Sequence, residues 1–217
     1  MVEEVSVDGG EHRRRRRDTL ATEEPLEIRV VRAEDAAAHR VSVTMRTPGA
    51  DFELAAGFLY GEGLLSAPLE VAAIRYCVDP AVDGAQQYNV VNVLLAHGVS
   101  FDAELLRRNF YTTSSCGVCG KASIEAVRGA GCPFVASPLG VDAATLLALP
   151  DRLRAAQAVF DRTGGLHGAA LFSPEGELLR VREDVGRHNA LDKLVGASFL
   201  AGELPLADRV VLVSGRL

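Results

Sequence analysis

Two cysteines three positions apart, Cys116 and Cys119, sit in the run Ser114-Ser115-Cys116-Gly117-Val118-Cys119-Gly120-Lys121, just ahead of a stretch with helical periodicity. A close thiol pair can carry sulfur, exchange disulfides or supply half of a zinc site. Sulfur transfer requires a thiolate, and therefore a depressed pKa and access to a partner. Lys121 supplies a positive charge, and a helix through Ala122, Ile124, Ala126 and Val127 would aim its N-terminal amides at the turn. Gly117 and Gly120 strip the turn of side chains, so residues 109–121 are expected to form a mobile loop.

Other uses of the pair fit less well. A structural zinc needs two further ligands, and neither Cys77 nor Cys132 belongs to a second close pair, so no metal is expected. A thioredoxin-like site would follow a strand, whereas here the pair follows Asn109-Phe110-Tyr111 and a short predicted helix from Asp102 to Arg108. Zinc-dependent deamination needs a His-x-Glu or Cys-x-Glu ahead of the pair. His97 is followed by Gly98-Val99 and Cys77 by Val78-Asp79, so the proton-shuttling glutamate is missing.

A second polar cluster lies downstream in Thr163-Gly164-Gly165-Leu166-His167 and Arg182-Glu183-Asp184-Val185-Gly186-Arg187-His188-Asn189, with Ser214 near the end of the chain. On the predicted helix from about Val185 to Ala201, Leu191, Leu194, Val195 and Phe199 form an apolar stripe, and Arg187 and His188 fall at its N-terminal end. One arginine, two histidines and free helix amides suit a phosphate or pyrophosphate. The plainer readings make Gly164 a helix C-cap, Asp184 an N-cap and His188 a partner for Asp192 at i+4.

Around these groups the hydrophobic pattern places strands at Leu26–Val31 and Arg40–Met45, a helix through Phe52, Ala55, Ala56 and Leu59, then strands at Val71–Val78 and Tyr88–Leu95. The second half reads as a helix from Asp151 to Asp161 led by Pro150, a hairpin of His167–Phe172 and Leu178–Val181, the long helix, and a buried strand from Arg209 to Val213. Helix, hairpin, helix and strand in that order predict a three-layer α/β sheet with helices on both faces. The organisation expected is a disordered Arg-rich tail over 1–24, an α+β subdomain over 25–108, the cysteine loop, and an α/β domain over 122–217.

The composition limits the function classes. At 217 residues and 48% apolar the chain can bury a core, and a net charge of -6 gives no reason to expect nucleic-acid binding. The Arg13–Arg17 run is balanced by Glu3, Glu4, Asp8, Glu11 and Asp18. With no apolar run of membrane-spanning length and few cysteines, a cytoplasmic protein with reduced thiols and no membrane partner is expected.

Taken together, GFLYGEGLL (57–65), SSCGVCGKAS (114–123), FDRTGGLHGAALF (160–172), REDVGRHNALDKLVG (182–196) and VVLVSGR (210–216) resemble the formate dehydrogenase accessory sulfurtransferase family. The resemblance implies a sulfurtransferase that takes persulfide sulfur from a cysteine desulfurase and passes it to the molybdenum cofactor, bis-molybdopterin guanine dinucleotide, for formate dehydrogenase. It implies that Cys116 and Cys119 carry the sulfur, with Cys116 the position usually assigned. Thr163, Gly164, His167, Arg187, His188 and Ser214 are the candidates for holding the cofactor and its guanine nucleotide. It also implies a homodimer and a cytidine-deaminase-like core. The family normally continues past Ser-Gly-Arg with a further helix, a strand and a tail implicated in cofactor binding, so the α/β domain is expected to be C-terminally shortened.

Overall fold

A computed structural model describes residues 2–6, 12–34, 37–78, 84–99, 136–137 and 139–215. Alternation of apolar and polar residues produces β3 (Glu24–Val31), where Leu26, Ile28 and Val30 all turn to the core at 1% exposure or less. β3 pairs antiparallel with β4 (Ala38–Arg46), with a register shift at Ile28/Arg29. The chain then passes through helix α1 (Asp51–Gly61) to β5 (Val71–Tyr76) and β6 (Val90–Leu95). β6 returns parallel to β3, giving a four-stranded sheet in the order β4-β3-β6-β5. Leu54, Ala55, Ala56 and Leu59 of α1 cover its inner face. Residues 84–89, predicted as the start of a strand at Tyr88, form a 3-10 helix.

The second sheet has the order β8-β7-β9, from β7 (His167–Phe172), β8 (Leu178–Asp184) and β9 (Val210–Val213), all antiparallel. Helix α2 (Ala143–Ala156) packs Leu149 and Leu153 against Ala170 and Phe172 on one face. Helix α4 (Arg187–Leu200) packs Ala190 and Leu194 against Ala169 and Leu171 on the other. Alternate residues of β7 thus feed the two layers, and helices do lie on both faces, as the element order predicts.

The two sheets are joined where α1 crosses α4. A Cβ on Gly57 would stand 1.9 Å from the Asp192 carbonyl oxygen, and one on Gly196 would stand 1.8 Å from that of Glu53. Only glycine permits backbones this close. Phe199 of α4 reaches the core of the first sheet, stacking at 5.4 Å on Tyr60.

Three expectations are corrected. Residues within the N-terminal tail form a hairpin of β1 (Val2–Ser6) and β2 (His12–Arg16), in which Glu3 lies opposite Arg15 and within 3.5 Å of Arg13. Charge complementarity across the pair opposes the self-repulsion that an arginine run alone would suffer. Pro150 lies inside α2 rather than leading it, and the helix starts at Asp142, whose carboxylate accepts from the Ala144 and Thr145 amides. The run to Asp161 is interrupted at Gln157, beyond which a separate short helix, α3 (Ala158–Thr163), begins. Finally, the buried face of α4 contains Ala190, Lys193, Leu194, Gly196, Ala197 and Ser198, while Leu191 and Val195 are half-buried. A helix pressed between two layers selects small residues at its tightest contacts, which a hydrophobic stripe does not reveal.

Candidate functional site

The start of β7 and the ends of β8 and β9 converge at one edge of the second sheet, and the N-terminus of α4 follows directly from β8. His167 is the register partner of Asp184, and Ser214 lies just past β9. The hydroxyl of Ser214 accepts from the Gly168 amide at 2.9 Å, and its own amide donates to the Gly168 carbonyl at 2.9 Å. Ser214 therefore extends the β7–β9 ladder. Beside it, a Cβ on Gly215 would meet Nδ1 of His167 at 3.3 Å, so glycine leaves the imidazole its space.

Asp184 is completely buried and organises this edge. One carboxylate oxygen accepts from the Gly186 amide at 2.8 Å and the Asn189 side-chain amide at 3.0 Å. The other accepts from the Thr47 amide at 3.1 Å and pairs with Lys193 at 2.7 Å. Lys193 also donates to the Thr47 carbonyl, and Asn189 to the Met45 carbonyl, while the Thr47 hydroxyl accepts from the Val185 amide. This network ties the helix start to the end of β4. Next to it, Arg182 makes a bidentate pair with Glu53 of α1 at 2.5 and 2.7 Å.

Arg187 and His188 open α4. Nε of Arg187 is buried without an acceptor among the described residues. Burial, and then the neighbouring Arg187 charge, holds the His188 pKa below the ordinary histidine value. Among the described residues His188 makes no ion pair with Asp192. Instead, burial and the like charges of Glu62 and Asp184 push the Asp192 carboxyl up to about 7.

Two of the sequence candidates have local duties. Gly164 is the left-handed C-cap of α3 at φ 66, and a Cβ there would meet nothing within 4 Å. The Thr163 hydroxyl donates to the Val159 carbonyl at 2.8 Å. His167, Arg187 and His188 have no comparable local hydrogen bond among the described residues, and a buried Nε without an acceptor among them suits an anionic oxygen. Cys116, Cys119 and Cys132 lie outside the described residues, as does the predicted helix from Asp102 to Arg108. Cys77 is buried next to β5 at 3% exposure. Asp184 is not the N-cap residue, which is Gly186. Asn189 belongs to the polar run singled out in the sequence, but Lys193 was missed, although two polar residues four apart on a helix signal a shared polar contact.

The architecture is mixed α/β, with helices on both faces of the second sheet, His167 at the start of β7 and Arg187 at the start of α4. The FdhD/NarQ family model matches residues 21–217, and the chain belongs to that family. The sulfur carrier protein FdhD of Streptomyces avermitilis is 56% identical over 203 residues, covering 93% of this chain and 70% of that protein. The one from Mycolicibacterium paratuberculosis is 57% identical over 202 residues, covering 93% and 72%. A crystal structure assigned to a formate dehydrogenase accessory protein from Desulfotalea psychrophila superposes with a TM-score of 0.64 at 22% identity, covering 100% of this chain and 74% of that one, which speaks to the fold alone. Among the described residues no helix is long and apolar enough to cross a membrane.

Proposed function

We propose that this protein is a sulfur carrier that relays persulfide sulfur from a cysteine desulfurase to the molybdenum cofactor required by formate dehydrogenase. The observation that carries the reading is the family match across residues 21–217, which spans both the Cys116–Cys119 pair and the polar strand ends. Relatives more than half identical to this chain are named sulfur carrier proteins.

In the first step the Cys116 thiolate attacks the outer sulfur of the donor's cysteine persulfide. The donor S–S bond breaks as a new one forms on Cys116; the outer sulfur crosses with its proton and the donor cysteine leaves as a thiolate, so no external oxidant is needed. Cys119 stands three residues away as the second thiol of the relay. The acceptor is bis-molybdopterin guanine dinucleotide, which enters as substrate. Its phosphates would be held at the second sheet by Arg187, whose Nε has no acceptor among the described residues, with His188 and His167 as neighbouring donors.

Incubation with a cysteine desulfurase and cysteine should add sulfur to Cys116 or Cys119 by peptide mass spectrometry. Cys116→Ala combined with Cys119→Ala should abolish formate dehydrogenase activity in a cell lacking its own copy. Full activity from the double variant would refute the relay and favour an escort that only binds the cofactor or the dehydrogenase.

A further inference from the structure

Helix α3 is attached to the rest of the molecule in an unusual way. Gln157 and Leu166 are buried, at 3% and 4% exposure, yet none of residues 158–165 between them is. Both ends of the segment break helical geometry, Gln157 at φ -81 and ψ 77 and Gly164 at φ 66. The N-terminal turn is held by one side chain of the sheet, Glu183 of β8, whose carboxylate accepts from the Val159 amide at 3.0 Å and the Phe160 amide at 2.7 Å. A second tether among the described residues is Arg154 of α2, which lies 4.4 Å over the Phe160 ring and 3.4 Å from Asp161. Arg154 and Asp161 are half to three-quarters exposed, so their ion pair holds weakly.

The hinge residue itself is unsettled in this position. Gln157 lies against β7 so closely that a Cβ on Gly168 would meet its side-chain amide at 2.7 Å, and its Nε2 is buried with no hydrogen-bond partner among the described residues. A buried, unmet amide disfavours the arrangement that buries it. Among the described residues, one end of the segment therefore carries a donor without a partner, the other a glycine with nothing within 4 Å of a Cβ, and the Glu183 carboxylate holds the N-terminal turn.

We propose that residues 158–165 form a hinged flap, latched by Glu183 and pivoting at Gln157 and Gly164, that opens without disturbing the sheet beneath it. The flap runs directly through Gly165 and Leu166 into His167, so its opening changes access to that strand end. This consequence for ligand entry rests on the functional reading above. The latch and hinges rest on geometry alone.

Hydrogen–deuterium exchange on the full chain, read by mass spectrometry, tests the proposal. Glu183→Gln keeps one acceptor but removes the charge, and it should speed exchange of the 158–165 amides about tenfold while leaving 167–172 and 187–200 unchanged. Gln157→Leu removes the unmet donor at similar size and should slow exchange of the same segment. A Glu183→Gln effect below about twofold, or one of equal size in the sheet and α4, would overturn the latch. Faster exchange in Gln157→Leu would overturn the hinge. GDP serves as the probe for ligand coupling. Protection of both 167–172 and 158–165 supports it, and protection of 167–172 alone overturns it. Absence of protection anywhere counts against the proposed phosphate binding at this edge, and the latch then stands or falls on the two variants.

Discussion

Asp192 offers a test of how charge is buried between the two sheets. Its backbone carbonyl lies at the α1–α4 crossing, and its carboxyl pKa is raised from 3.8 to about 7 by burial first and then by Glu62 and Asp184. The folded protein thus holds this proton more tightly than the unfolded chain does. Such a group costs nothing well below the unfolded value, costs progressively more as pH rises from 3.8 towards 7, and carries its full cost above that. The difference of 7 - 3.8 = 3.2 pH units corresponds to at most about 4 kcal/mol, and about 2–4 kcal/mol once local relaxation is allowed. Asp192→Asn preserves the shape and removes the charge. Urea unfolding followed by circular dichroism should find the variant more stable by about 2–4 kcal/mol near pH 8, and that advantage should shrink by about 2 kcal/mol near pH 5. An advantage independent of pH, or a loss of stability near pH 8, would refute the reasoning that burial and like charges govern this carboxyl.

Two further perturbations probe the join between the sheets. Gly196→Ala would drive a Cβ to 1.8 Å from the Glu53 carbonyl, so a loss of about 3 kcal/mol or more, or failure to fold, is expected, whereas Gly61→Ala, with nothing within 4 Å, should be near neutral in the same thermal melts. Lys193→Met leaves the fully buried Asp184 without its cation and should cost about 3–5 kcal/mol in urea unfolding, with part of the loss recovered when Asp184→Asn is added.

Much of the element order is legible in the sequence because strands and helices announce themselves through local periodicity. Leu26, Ile28 and Val30 alternate as a half-buried strand must, and His167–Phe172 was bounded correctly by its flanking glycines and the Ser173-Pro174 turn. Pro150 misled because proline usually opens a helix, while the capping role of Asp142 outweighed that signal. The hairpin was missed because an arginine run looks solvated until an acidic strand lies opposite it.

In the sequence, the Cys116–Cys119 pair was the expectation for sulfur chemistry, and His167, Arg187 and His188 the expectation for an anion. Among the described residues, tertiary structure separates a donor without an acceptor, Nε of Arg187, from groups already in use. Asp184 reads as a helix N-cap in the sequence and Lys193 carries no signal of burial, yet both are buried and bonded to Thr47, more than 130 residues earlier in the chain. Short-range patterns encode which residues share a strand or a helical face. Which distant backbone groups meet a buried charge depends on how two sheets are pressed together through Gly57 and Gly196, and that contact exists only once the chain has folded.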